Sequence, residues 1–210
     1  MATSSPASAT PATRSSAPSR PERHAIEPAA RCLRSRRLFC KLKDTPMLIR
    51  KAEAQDLDAV RRLAAQINRQ HHQAMPEWFR AEVESEADCV YWLERMTGED
   101  RAILLAEQAG EVKAFATVMT QAMPPAPFLQ ARRVCRIGTI VVDEAHQGQG
   151  IGSRLLAAAE DWGHAQGADE VRLEVMQFNR SAQDFYARHG LVPQSQILSK
   201  PLRLEQGAAR

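Results

Sequence analysis

Leu57, Val60, Leu63, Ala64 and Ile67 fall on one face of a 3.6-residue period, with Asp56 placed to cap them. An amphipathic helix is expected from there to about His71, preceded by a short strand over residues 48–51. Beyond Pro76 a weaker stripe, Val83, Cys89, Val90 and Leu93, predicts a second helix over residues 80–96. Residues 102–106 and 112–120 have strand character around Gly110 and predict a hairpin. Pro124, Pro125 and Pro127 then impose a loop. The next apolar stretch, Ile137 to Val142, breaks the period of two, because Ile137 and Ile140 are three apart with Gly138 between them. A β-bulge is the simplest cause, and an ordinary buried strand that contains a glycine is the plain alternative. A bulge would turn this strand away from the next strand pattern, residues 170–177, and open a wedge lined by backbone donors and acceptors. Ile151, Leu155, Ala159 and Trp162 define a helix that Gly167 stops. A last helix runs from Asn179 to His189 and stops at Gly190.

Between the irregular strand and the helix after it stands Gln147-Gly148-Gln149-Gly150-Ile151-Gly152. A strand that ends in a glycine-rich loop and opens into a helix presents unpaired N–H groups backed by the positive end of the helix dipole, which suits phosphate oxygens. The loop has no Lys followed by Ser or Thr, so it lacks the parts that reach a terminal phosphate and hold magnesium. Its glycines run G-x-G-x-G rather than G-x-G-x-x-G, and the following strand pattern ends in Met-Gln-Phe-Asn with no acid for a ribose. A nucleoside triphosphatase loop is disfavoured, and a dinucleotide is the weaker ligand.

The spacing Gln147-x-x-Gly150-x-Gly152 resembles the acetyl-CoA loop of the GCN5-related N-acetyltransferases (GNAT). IGTIVVDEAHQGQGIG is similar to that family's fourth strand and loop, NRSAQDFYARHGLV to its fifth-strand exit and following helix, and LIRKAEAQDLDAVRRLAAQI to its first strand and helix. The resemblance covers Met47 to Leu202 and implies a mixed α/β fold, with a mostly antiparallel sheet of about six to seven strands and about four flanking helices, splayed between the fourth and fifth strands. It implies acetyl-CoA as co-substrate, its pantetheine arm in the wedge. The implied contacts are Ile140, Val141, Val142, Gln147, Gly148, Gln149, Gly150, Ile151, Gly152, Ser153, Asn179 and Tyr186. Away from a ligand, Gln147 is a solvated loop residue, Asn179 an N-cap and Tyr186 a packing residue. In the family's pattern Tyr186 faces the coenzyme sulfur, where a phenol of pKa about 10 is a catalytic acid for the leaving thiolate, and backbone N–H near Val142 serves the oxyanion. Leu191 stands where the family commonly has Phe.

The implied reaction is direct attack of a primary amine, on a small molecule or a protein, on the thioester carbonyl in a ternary complex. A non-catalytic acyl-CoA-binding regulatory module and a dinucleotide-binding oxidoreductase fragment are the rivals. Glu77, Glu82, Glu84 or Glu174 could act as the base through water, and Glu174 is as readily an ordinary salt-bridged strand residue. The acceptor groove is expected from residues 71–80, the proline loop 123–128 and a final strand around residues 196–202.

With 210 residues, 44% of them hydrophobic, the chain can bury a core, and no apolar run approaches the roughly 20 residues of a membrane span. Residues 1–46 carry nine Lys or Arg against three acids, so the remaining 164 carry a net −3 and the overall +3 is no nucleic-acid footprint. That Ser-, Ala-, Pro- and Arg-rich extension is expected to be disordered, with an extended start before Met47 or a transit segment as the other readings; its prolines at 6, 11, 18, 21 and 28 oppose an amphipathic targeting helix. Residues 47–204 are taken as the acetyltransferase domain and 205–210 as a flexible tail. Cys32, Cys40, Cys89 and Cys135 form no C-x-x-C, and His71 and His72 are adjacent rather than a helical turn apart, so neither a disulfide framework nor a metal is expected. A cytoplasmic monomer or homodimer, without nucleic-acid or membrane partners, completes the expectation. The −3 charge only mildly favours a cationic amine.

Overall fold

The computed structural model describes residues 46–81, 85–200 and 202. The expectations for residues 1–45 and 205–210, and Glu82 and Glu84 as candidate bases, lie outside the described residues.

Strand β1, Leu48–Lys51, leads through a 3₁₀ turn, Ala54–Asp56, into helix α1, Leu57–Ala74. Asp56 occupies the N-cap position of α1 but makes no side-chain cap bond there. Its carboxylate turns back instead, accepting the Glu53 N–H at 2.8 Å and two bonds from the Arg50 guanidinium at 2.7 and 2.8 Å. Arg50 also reaches Glu107 on the neighbouring strand, so one guanidinium ties the first strand, the turn and the sheet together. Arg50 holds the buried Asp56 carboxyl below the usual carboxylate range. Replacing Asp56 with Asn is expected to destabilise the fold by about 2 kcal/mol, less than the loss of a fully buried pair because Arg50 is partly exposed. A carboxyl whose pKa is depressed on folding contributes fully above its unfolded value, about 4, and loses that contribution as pH falls through the lower folded value. Urea titrations should therefore show the full difference at pH 7 and a shrinking one below about pH 4.

Strands β2, Arg101–Gln108, and β3, Glu111–Met123, form the expected hairpin. Its two turn residues, Ala109 and Gly110, both have positive φ, +54° and +78°, the handedness that matches the twist of a two-residue hairpin. Strand β4, Arg132–Val142, pairs antiparallel with β3, and β5, Glu170–Leu173, adds to β4 in parallel. The sheet order is β1-β2-β3-β4-β5.

Each face of the sheet has its own core. Val60, Leu63 and Ala64 of α1 and Trp92 of α2, Glu86–Met96, pack on Ile103, Leu105, Phe115 and Val141. On the other face Leu155, Leu156, Ala159 and Trp162 of α3, Ile151–Ala165, lie on Ala102, Ala106, Ala114 and Ala116. The small strand residues let α3 approach closely. At Gly163 the approach is closest, since a Cβ there would stand 2.7 Å from Cys135 Cβ. Gly167, at φ +73°, ends α3, with Ala168 N–H bonded to Gly163 O and Gly167 N–H to His164 O, both at 2.9 Å. Helix α4, Arg180–Arg188, completes the described elements.

The mixed, mostly antiparallel fold with four helices is the expected one, but with five strands among the described residues rather than six to seven. Residues 191–200 contain neither strand nor helix, so the expected final strand does not form there. β5 ends at Leu173, short of residue 177, and α2 begins at Glu86 rather than at residue 80, because Ser85 caps it by accepting the Asp88 N–H at 3.2 Å.

Candidate active site

Gly138 is the irregularity in β4. Thr117 pairs with Thr139 and Val118 with Ile137, which leaves Gly138 without a partner on β3, as the spacing of Ile137 and Ile140 suggested. Parallel pairing with β5 joins Val134–Ile137 to Glu170–Leu173 and stops at the same point. Beyond the bulge, residues 138–142 run on without a β5 partner. At the far end the Asp143 N–H donates to Lys113 O at 2.8 Å, on the β3 side. Across that trans peptide the Val142 carbonyl, and with it the Val142 N–H, faces the opposite way, into the opening. The Val142 carbonyl is held by two glutamines, Gln66 at 2.9 Å and Gln147 at 3.2 Å. Gln66 also accepts the Glu144 N–H at 3.3 Å, so it clamps strand to loop. Of the other strand residues implied as contacts, Val141 is buried in the α1 core and its backbone turns to Phe115 on β3, while Ile140 packs towards α3 and its backbone, like that of Val142, faces the opening.

A 3₁₀ turn, Glu144–His146, leads into the loop. Gly148 and Gly150 have φ of +73° and +76°, and nothing lies within 4 Å of a Cβ built on either. Backbone conformation, not crowding by protein, therefore calls for glycine at both. Gly152 differs: its close neighbours are the Phe185 ring, at 3.4 Å from a Cβ, and Val142 Cγ2 at 3.8 Å, so it packs on α4 as well as on the strand. Gly150 is the N-cap of α3, with no side-chain cap bond and no acidic residue in the first turn. The N–H groups of Ile151, Gly152 and Ser153 thus precede the first helical bond, from Arg154 N–H to Gly150 O, at the positive end of a four-turn helix and beside two open glycines. Gln149 donates to Ala145 O at 3.5 Å, so one loop glutamine braces the end of β4 and the other the turn that follows it.

Helix α4 is fastened to this end of α3. Asn179 Oδ1 accepts the Ala182 N–H at 3.1 Å, the cap its position suggested. Phe185 covers Gly152, and Tyr186 lies edge-on to Phe185 at 5.2 Å between centroids. Burial pushes the Tyr186 phenol above its ordinary pKa, so the proton is held through neutral pH. His189 Nδ1 is 2.8 Å from Phe185 O, and a carbonyl only accepts, so Nδ1 carries a proton. The His189 Nε2 lies 2.9 Å from the Ser153 hydroxyl. Ser153, expected as a contact, has its side chain occupied in this bond and offers its backbone N–H.

Neither His189 nor Gln66 was foreseen, since their partners are 36 and 76 residues away in sequence. His71 lies against Phe79 at 4.8 Å and Phe178 at 5.6 Å. Burial lowers its pKa, which favours the neutral imidazole. Glu77 is exposed, and Glu174 is salt-bridged to Arg136 at 2.8 Å. The described residues contain no group of three His, Cys, Asp or Glu able to hold a metal, and no helix among them is long and apolar enough to cross a membrane.

Residues 60–191 match the sequence pattern of the Acetyltransferase (GNAT) family. An uncharacterized N-acetyltransferase, YhfO of Bacillus subtilis (strain 168), is 27% identical over 144 residues, 69% of this chain and 89% of that protein. The crystal structure of a tetramutant of the BH1408 protein from Bacillus halodurans superposes with a TM-score of 0.70 at 29% identity, covering 74% of this chain and 99% of that one. Aminoglycoside N-acetyltransferase AAC(6')-Iy, solved in complex with CoA, shares the fold at TM-score 0.60 and 19% identity, over 76% of this chain and 96% of that one. The open wedge, the glycine cradle and a match running through both make this chain a member of the GNAT family of acetyltransferases, with acetyl transfer as the activity the family supports.

Proposed function

We propose that the protein is an acetyl-CoA-dependent N-acetyltransferase that moves an acetyl group to a primary amine by direct attack in a ternary complex, with residues 47–204 as the catalytic domain. The observation that carries this is the wedge that opens at Gly138 and leads to the uncapped N-terminus of α3. The residues fit the co-substrate: two left-handed glycines leave room for a pyrophosphate against free N–H groups, and no nearby carboxylate in the first turn repels it.

Acetyl-CoA supplies the activated acyl group; the rest falls to the chain. The N–H groups of Ile140 and Val142 both face the opening, and that of Ile140, the nearer to the bulge, stabilises negative charge developing on the thioester oxygen. As the new C–N bond forms and the C–S bond breaks, the Tyr186 hydroxyl gives its proton to the sulfur, a role its raised pKa suits by keeping that proton in place. The amine must arrive neutral, and its proton leaves to solvent or a base; His71, whose burial favours the neutral imidazole, is a more available candidate than the salt-bridged Glu174. The acceptor is a small-molecule or protein amine. The small-amine reading is supported by AAC(6')-Iy, an aminoglycoside N-acetyltransferase of the same fold solved with the bisubstrate analogue CoA-S-monomethyl-acetylneamine. Free Cys89 and Cys135 suit a reducing, cytoplasmic setting.

Thermal shift with acetyl-CoA, CoA and NADH, on chains with and without residues 1–46, tests this directly. Stabilisation by the first two ligands in both forms is expected, followed by thiol release with a suitable amine. Stabilisation without thiol release for any amine would leave an acyl-CoA-binding module, and stabilisation by NADH alone would refute the site.

A further inference from the structure

A cavity of about 270 Å³ lies on the α2 side of the sheet and is bounded at one end by the bulge, Gly138 and Thr139. Three arginines line it, Arg95 from α2, Arg101 from β2 and Arg136 from β4, and no acid does. Arg101 and Arg136 are paired with Asp100 and Glu174, acids outside the lining whose side chains are 48% and 66% exposed, and such pairs exchange partners at little cost. Arg95 has no carboxylate partner among the described residues. Its Cζ sits 3.2 Å from the centre of the Tyr91 ring and one Nη donates to Tyr91 O at 2.9 Å, which fixes the fork and leaves most of its donors unspent.

The far wall offers a hydroxyl. A Cβ on Gly138 would come within 2.9 Å of Thr117 Oγ1, so glycine at the bulge keeps that hydroxyl open to the cavity. Gly138 is also where β4 parts from β5, so cavity and wedge share a boundary. The volume is below the roughly 300–1,000 Å³ of sites for drug-sized ligands, which suits a small molecule and not an oligosaccharide. The lining itself thus presents only positive charge, with Asp100, Glu94 and Glu174 set behind two of the three arginines and none paired with Arg95 among the described residues.

We infer that this cavity binds the carboxylate of the acceptor, with Arg95 as its anchor, so that the amine acetylated is a small amino acid and not a polycation. The inference rests on the acetyltransferase reading above. The test measures thiol release from acetyl-CoA with free α-amino acids, β-alanine and γ-aminobutyrate, each beside its amide, and with spermidine. At least one acid should exceed its amide in kcat/KM by about tenfold or more, the size of one charge-assisted hydrogen bond. Arg95→Gln and, separately, Arg136→Gln should raise KM for that acid by about tenfold while leaving the amide's KM and the calorimetric Kd for acetyl-CoA unchanged. Amides or spermidine used as well as the acids, no acid turned over by protein that binds acetyl-CoA, or variants that weaken acid and amide equally would each overturn it. Failure to bind acetyl-CoA at all would instead remove the acetyltransferase reading, and this inference with it.

Discussion

Replacing Gly150 with aspartate is expected to abolish acetyl-CoA binding while leaving the protein folded. Two separate terms act at this position. The backbone there has φ of +76°, which costs a residue with a Cβ about 1–2 kcal/mol, and aspartate is among the side chains that bear it best. Nothing in the protein lies within 4 Å of the new Cβ, so no core contact is lost. The carboxylate, in contrast, stands at an uncapped helix N-terminus where a phosphate oxygen would lie. Two like charges about 4 Å apart near a protein surface repel by about 4 kcal/mol, roughly a thousandfold in Kd. Calorimetry with acetyl-CoA and a melting curve separate the two effects. Binding within tenfold of wild type would show that the loop does not hold the pyrophosphate. Gly150→Ala isolates the backbone term and should bind measurably, only weaker.

Tyr186→Phe should lower kcat by about 10²- to 10⁴-fold with little change in acetyl-CoA affinity, the range over which a positioned general acid contributes. The ring stays, and with it the edge-on contact to Phe185. The hydroxyl has no protein partner among the described residues, so its removal strands no buried donor or acceptor. The pH profile gives an independent mark. An acid must be protonated to work, and burial raises this pKa, so wild-type activity should persist through pH 10 and fall only above it. In the variant that alkaline limb should vanish. A kcat within a few-fold of wild type would return Tyr186 to packing alone.

What the sequence made legible was local. The Gln147 to Gly152 loop, the Asn179 cap and the amphipathic stripes of α1 and α3 are all written within one or two turns of chain, and each stands where the periodicity set it. The misplaced boundaries were local as well. Ser85 and Asp88 form a cap, and α2 starts late in consequence. In β5 the apolar pattern runs on past Leu173, but β4 has already turned away, and Val175, left without a neighbour to bury it, is 37% exposed. The contacts that align the site join distant segments, Gln66 to Val142 and His189 to Ser153, and no spacing rule marks them. Charge was the most misleading signal: a sum of −3 over the domain hid three arginines that come from separate elements to line one cavity.

The unpaired glycine in β4 also bears on how such a protein can change. Val142 and the cradle lie at one end of a five-residue span, and the arginine-lined cavity at the other. One strand, about 3.3 Å per residue, keeps the two apart by a fixed length that neither end has to maintain. Substitutions at positions 95, 101 or 136 can therefore redraw which amine is admitted without disturbing the nucleotide grip. For an engineer, β4 works as a ruler with a socket at each end, and only one socket has to be recut to alter what the enzyme acetylates.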